Sequence, residues 1–262
     1  MQANTRLTYL GGATYLIEIG EFRFLTDPGF DPDGTEKSEG PGHDLRKNMS
    51  PPVPIESIGE IDAVLLSHQQ HFDNLDVTGR AFLPKAGRVL TTPQSAEVLG
   101  GNAEGLATWE SVEITNEAGE TIRITGMPAI HGPAALREAV GETMGFMLEW
   151  EGQEKGALYL SGDTVWNEGI EEIAERFEVG TGVLNMGAAN VPAVGDNILT
   201  LDGKEGAKVA ETLGLEAVFP AHFEGWEHYT EGRSGIEEAF AAAGVGDRLH
   251  MLDPGEAETV TV

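Results

Sequence analysis

Apolar and polar positions alternate with a period of two over the first part of the chain, and the spacing then changes. Residues 5–10, 14–19 and 22–25 read as a strand meander, with Gly11-Gly12 and Gly20-Glu21 supplying the two turns. From 28 to 54 the periodicity dissolves into Gly, Pro, Asp and Lys. A loop of that length inside a compact fold is usually functional, so a lid over a site is expected. Continuous apolar runs follow at 61–66 and 88–91, and further strands are expected at 121–130, 145–150, 157–160, 182–186, 216–219 and near 249–252. Helical spacing marks 96–99, 170–177, 205–213 and 235–243. Strands dominate both halves and helices follow them in each. The expected fold is therefore α/β (α+β): an αββα sandwich of two mixed sheets with helices on the outer faces, spanning 1–262 as one domain.

Composition narrows the class. With 262 residues and 40 % hydrophobic side chains there is enough apolar material for a sizeable core. No stretch approaches the ~20 apolar residues of a membrane span, and no signal-peptide core is expected at the N-terminus. The 44 acidic side chains outnumber the 16 basic ones, leaving a formal charge of −28. Such a field repels nucleic acid and anionic membranes, both bound mainly through Lys and Arg. The acids are dispersed, which suits a cytoplasmic protein kept soluble in high salt, although an ordinary acidic enzyme has the same profile. With no cysteine, disulfides, thiolate metal sites and a cysteine nucleophile are excluded. Any metal must be held by His, Asp or Glu.

The chemistry sits where buried strands end. The run Val64-Leu65-Leu66-Ser67 leads into His68, with His71 and Asp73 close behind. Met127 to Ile130 leads into His131, Leu158 to Gly162 into Asp163, and Ala217 to Ala221 into His222. Strand ends are rigid mounts, and imidazole with carboxylate suits zinc, iron or manganese. A single histidine at a strand end is usually a hydrogen-bonded structural residue; four such endings in one chain point to a metal site. His43, His228 and His250 lie elsewhere, His250 in an expected terminal strand.

At these residues the sequence resembles the metallo-β-lactamase superfamily, and within it a branch of ascorbate-phosphate-lactonase-like metal-dependent hydrolases. The stretch from Thr14 to Thr26-Asp27-Pro28 looks like the superfamily's opening strands. Ser67-His68-Gln69-Gln70-His71-Phe72-Asp73-Asn74 resembles its metal loop, His-x-His-x-Asp-His. Ile130-His131-Gly132, Ser161-Gly162-Asp163-Thr164 and Pro220-Ala221-His222-Phe223 resemble the later ligand motifs. The resemblance implies that His71 and His131 hold a first metal, that Asp73 and His222 hold a second, and that Asp163 bridges them. Two positions depart from the pattern. Aligned on Asp73, the first histidine falls on Gln69; aligned on Ser67, it is His68 with one residue inserted before His71. His68 is preferred, because a loop absorbs an inserted residue more readily than a strand does. The third histidine falls on Asn74, a poor zinc ligand, so the second site is expected to be oxygen-rich and tolerant of manganese, or empty.

The implied activity is hydrolysis of a small ester, lactone or phosphodiester by a metal-activated hydroxide, using one or two divalent ions, zinc or manganese. Asp73 would orient the hydroxide, and His228, or alternatively Glu224, would give the leaving group its proton. Trp166, Trp226 and Tyr229 are candidate pocket walls, and His43, Arg46 and Lys47 a candidate receiver for an anionic substrate. The second reading is a catalytically silent binding or scaffold protein with a degraded metal site. The expected partner is a small molecule rather than nucleic acid or membrane; the sequence leaves oligomeric state open. If the acid excess is a salt adaptation, the melting temperature rises between low and molar salt; a flat dependence in a thermal melt removes that idea.

Overall fold

The computed structural model describes residues 4–262. In chain order the elements are β1 (Asn4–Gly11), β2 (Thr14–Ile19), β3 (Phe22–Thr26), β4 (Glu36–Ser38), β5 (Asp44–Arg46), β6 (Ala63–Leu65), α1 (Val77–Phe82), β7 (Arg88–Thr91) and α2 (Pro93–Leu99). There follow β8 (Ala103–Gly105), β9 (Ser111–Thr115), β10 (Thr121–Pro128), α3 (Arg137–Val140), β11 (Met144–Trp150), β12 (Ala157–Leu160) and α4 (Glu168–Arg176). The last are β13 (Val179–Asn185), α5 (Gly203–Thr212), β14 (Ala217–Ala221), α6 (Arg233–Ala243) and β15 (Ala257–Thr261).

The alternation of the first strands places their side chains on two faces. Tyr15, Ile17 and Phe24 point into the main core, while Leu16, Leu25 and Val64 pack outwards with Phe82 and Leu83. That is the two-sided burial expected of a sheet covered on both faces. The first sheet has seven strands in the order β15-β1-β2-β3-β6-β7-β8, and the second has six, β14-β13-β12-β11-β10-β9. One core cluster contains Tyr9 and Phe24 from the first sheet and Phe146, Tyr159 and Phe219 from the second. The same cluster takes in Ile170 and Ile173 of α4, Val209 of α5 and Phe240 of α6. The architecture is the expected two-sheet sandwich with outer helices. Strands β3, β6 and β7 pair in parallel, as do β12, β13 and β14. Their C-terminal ends carry the loops that begin at Leu66, Ser161, Met186 and His222.

The expected strand at 249–252 is corrected. Leu249 makes one isolated bridge to Val218, and the ordered strand is β15, antiparallel to β1. The carbonyls of Met251 and Leu252 accept from the Arg233 guanidinium instead of a neighbouring strand. Their apolar side chains fill the core without pairing, so hydrophobicity there reports packing. Strands β8 and β9 and helix α1 lie outside the expected elements. They are short, and α1 is set by its N-cap, Asp76, whose carboxylate accepts from Gly79 N at 2.8 Å.

The 28–54 segment holds the β4–β5 hairpin and is fastened by a buried ion pair. Lys47 Nζ donates to Asp76 Oδ2 at 3.2 Å and to the Gly29 carbonyl at 2.9 Å. Asp76 Oδ2 also accepts from Asp31 N at 2.6 Å. Lys47 is therefore spent on structure and does not receive an anion, contrary to expectation. Arg46 lies 3.8 Å from Glu36 and 3.7 Å from Glu227, so it too is paired with acids. Lys47→Met keeps the stem and removes the charge, leaving Asp76 buried without its cation. The expected loss is about 3 kcal/mol of unfolding free energy, read from the urea midpoint.

Candidate metal centre

His68, His131, Asp163 and His222 leave the core at strand ends, and His71 and Asp73 lie in the loop between β6 and α1. His68 follows β6, and its Nδ1 lies 2.8 Å from Ser67 Oγ. His131 follows β10; its Nδ1–H donates to the Leu199 carbonyl at 2.8 Å, which leaves Nε2 facing the other rings. Both Nε2 atoms approach His71 Nδ1, at 3.0 Å from His68 and 2.9 Å from His131. Among the described residues these three form a group whose ligand atoms all lie within 4.8 Å of one another.

Asp163 stands beside that group. Its Oδ1 accepts from Asn185 Nδ2 at 2.8 Å, and its Oδ2 faces His131 Nε2 at 3.7 Å, His68 Nε2 at 3.9 Å and His222 Nε2 at 3.4 Å. His222 in turn meets Asp73 Oδ2 at 3.1 Å. The same oxygen accepts from His228 Nε2 at 2.9 Å and from the Tyr229 hydroxyl at 3.3 Å. His222 holds a left-handed backbone at φ +61°, unusual for a residue with a Cβ, and its N–H donates to Gly12 O at 2.6 Å. Gly187, at φ +107°, passes so close that a Cβ would overlap the His222 carbonyl.

The inserted residue of the metal loop is accommodated by tying both glutamines outward. Gln69 Oε1 accepts from Arg80 at 2.9 Å, and Gln69 N donates to Ser95 Oγ at 3.2 Å. Gln70 Nε2 donates to the carbonyls of Val140 at 3.1 Å and Glu142 at 2.8 Å. Of the two alignments left open by the sequence, it is His68 whose ring nitrogen joins His71 and His131, while Gln69 faces Arg80. The Asn74 amide nitrogen is held by Asp27 Oδ2 at 3.3 Å and Ser67 Oγ at 3.5 Å, while its oxygen is buried without a partner.

The electrostatics suit a cation. Burial, then the neighbouring imidazoles, hold His68 well below its ordinary pKa, and burial with His131 brings His71 down to about 3. Both rings are therefore neutral, the form that binds metal. Burial alone would raise Asp73, but hydrogen bonds from His222 and His228 outweigh it and hold the carboxyl well below the usual range. His222 goes the other way: burial opposes its charge, yet Asp163 and Asp73 raise it to about 9. Asp27, which accepts from Ser67 N at 2.7 Å, is pushed up to about 7 by burial and then by the Asp163 charge.

A family profile for the beta-lactamase superfamily domain matches residues 22–223. The chain belongs to the metallo-β-lactamase superfamily. It is 26 % identical to a metal-dependent hydrolase of Rubrobacter xylanophilus, over 98 % of this chain and 97 % of the relative. In fold it is similar to isothiocyanate hydrolase from Delia radicum gut bacteria, with a TM-score of 0.80 and 24 % identity, covering 98 % of this chain and 99 % of that one. It is also similar to a possible metal-dependent hydrolase from Veillonella parvula, with a TM-score of 0.84 and 20 % identity, covering 98 % and 99 %. The donor set fits the divalent ion that the superfamily implies. Three buried imidazoles point their nitrogens at one another, and burial keeps His68 and His71 neutral, so their inner lone pairs suit a cation.

Several side chains fall away from the centre. Trp166 lies under Lys208, whose Nζ is 3.6 Å from the ring centroid. Glu224 is influenced chiefly by its own burial and by Arg233, on the Tyr9 side of the sheet. His250 stacks on Phe219 at 4.8 Å and meets Glu258 at 2.8 Å, a structural role. Trp226, by contrast, stays at the edge of the centre, buried against Phe72 and Lys47 with its ring 6.1 Å from that of His228. His43 edges onto His71 at 5.8 Å and Glu39 accepts from Phe72 N at 3.1 Å, so the early loop does touch the centre. Tyr229, a candidate pocket wall, donates to Asp73, while Asp27 and Glu39 reach the centre's supports without having been expected as site residues. The signal for Asp27 was a Thr-Asp-Pro after a strand, too common to assign a role.

Because His222 is raised to about 9 from an ordinary 6.5, the metal-free folded chain binds more protons than the unfolded one between those values. Stability from this group is fully present below pH 6.5 and is lost as pH rises towards 9, with a slope of at most ~1.4 kcal/mol per unit. Urea midpoints of metal-free protein at pH 7 and 9 check this, with His222→Gln expected to flatten the dependence.

Proposed function

We propose that this metal-dependent hydrolase of the metallo-β-lactamase fold acts on a small ester, lactone or phosphodiester. The observation that carries the reading is the convergence of His68, His71 and His131 beside Asp163. These residues would hold a first divalent ion, with Asp163 turned also towards Asp73 and His222 for a second. When bound, such an ion supplies Lewis acidity, easing deprotonation of water and polarising the carbonyl or phosphoryl oxygen that faces it. Manganese and zinc both suit imidazole with carboxylate.

The protein's own groups then divide the remaining work. Asp73, held ionised by three donors, orients the attacking water through its carboxylate. The Tyr229 hydroxyl, which also donates to that carboxylate, fixes its orientation. A cavity of about 720 Å³ opens beside His131, lined by Thr92, Ile130, Arg137, Thr143 and Met144 among others, room enough for a small organic substrate. Arg137 is the basic side chain there, and the 28–54 segment covers the opposite side through Glu39 and His43. The silent-scaffold reading is disfavoured because the three imidazoles are held with their nitrogens inward; a decayed site has no reason to retain that cost.

The test uses protein purified without a metal-chelating tag, measuring metals per chain and turnover on a panel of lactones, esters and phosphodiesters. Asp163→Ala and His68→Ala are expected to lower metal content and turnover together, by 100-fold or more in rate on the order of magnitude of removed first-sphere chemistry. Gln69→Ala is expected to leave metal content unchanged. Full metal content and activity in Asp163→Ala would overturn the assignment.

A further inference from the structure

The sequence places an asparagine where the superfamily's metal loop has its last histidine, and its neutral amide is a poor ligand for zinc. Asn74 is fully buried and its amide nitrogen is committed to Asp27 and Ser67. What remains of the second site is Asp73, Asp163 and His222, two carboxylates and one imidazole. A fourth donor is nevertheless present, from a different part of the chain.

His228 comes from the loop after β14, six residues beyond His222. Its Nε2 lies 2.9 Å from Asp73 Oδ2, the same oxygen that His222 Nε2 meets at 3.1 Å. Asp73 Oδ2 is thus shared by the two imidazoles, and His222 Nε2 reaches on to Asp163 Oδ2 at 3.4 Å, so the four side chains form one run of direct contacts. The ring is held in place. Its side chain is 9 % exposed, its backbone carbonyl accepts from Asn190 N at 3.0 Å, and the Trp226 and Tyr229 rings flank it at 6.1 and 4.6 Å. A proton donor to a leaving group must face the substrate. Here Nε2 is aimed at a carboxylate and Nδ1 is buried without a partner.

We propose that His228 is a ligand of the second metal, replacing from the β14 loop the histidine that the metal loop has lost at Asn74. The second site is then Asp73, Asp163, His222 and His228, with two imidazoles as in the superfamily pattern but drawn from a single loop. This rests on the three-histidine reading of the first site.

The experiment loads the full-length chain with cobalt(II) alone and measures ions per chain by elemental analysis, the affinity of each site by chelator competition, and the shifted exchangeable imidazole N–H resonances by proton NMR. Wild type is expected to take up two ions. His228→Ala is expected to keep the first and bind the second more than about 100-fold more weakly, beyond what loss of an outer-sphere contact produces, with one shifted N–H resonance fewer. His228→Gln serves if the alanine variant fails to fold, and the same loss is expected. Two ions at wild-type affinity in either variant would overturn the proposal, as would a wild type that binds only one ion. In that last case the first-site hydrolase reading survives. A wild type that binds none overturns both.

Discussion

A neutral imidazole has one proton and one lone pair to place, and three of them packed nitrogen to nitrogen cannot satisfy each other. The centre depends on how that conflict is managed. His131 spends its proton outward, on the Leu199 carbonyl, and His68 turns its other nitrogen to Ser67. The inner nitrogens are left facing one another at about 3 Å. Each buried acceptor without a donor costs roughly 1–3 kcal/mol, so the arrangement persists only where the scaffold over-determines it. The two-sheet sandwich does so, because the ligands sit at the C-terminal ends of strands whose registers are locked by a core on both faces. The left-handed backbone at His222 and the close pass of Gly187 belong to the same constraint.

Charge acts on that frame from the other direction. In a chain of net charge −28 the cations near the centre are already committed, Lys47 to Asp76 and Arg80 to Gln69. Asp27, Asp73 and Asp163 are left close together in a dry environment, with Glu39 at the edge pushed up to about 7 by burial and by Asp73. Without an ion the carboxylate charges raise His222, while burial and the neighbouring imidazoles lower His68 and His71. A divalent cation relieves the carboxylates and engages the lone pairs at once. Affinity for the metal and the acid-base character of the centre are therefore one property seen twice.

The strand ends that carry ligands were legible because a buried parallel strand is a continuous apolar run, and the residue where the run stops is conspicuous. Strands β7 and β12 fall at their expected residues, and the four expected helices differ only at their ends. The failure at 249–252 has the same origin: an apolar run marks burial, and burial without hydrogen-bond partners looks identical in one dimension. Strands β8, β9 and β15 were missed because short or edge strands carry little apolar signal. In the site, the histidines and aspartates at the strand ends could be named, while the choice between His68 and Gln69 could not. It turned on whether Arg80, Ser95 and the 140–142 backbone could hold two glutamines outward, and those partners lie 11 to 72 residues away.

Local pattern and residue chemistry were enough for the two-sheet architecture, the absence of thiolate ligands and the set of residues able to hold a metal, because each depends on neighbours in the chain or on composition. Which nitrogen faces which, that Lys47 is a fastening and not an anion receiver, and that His228 shares an oxygen with His222 all depend on distances between segments remote in sequence. Such distances are set by the packing of the two sheets. No periodicity along the chain encodes them.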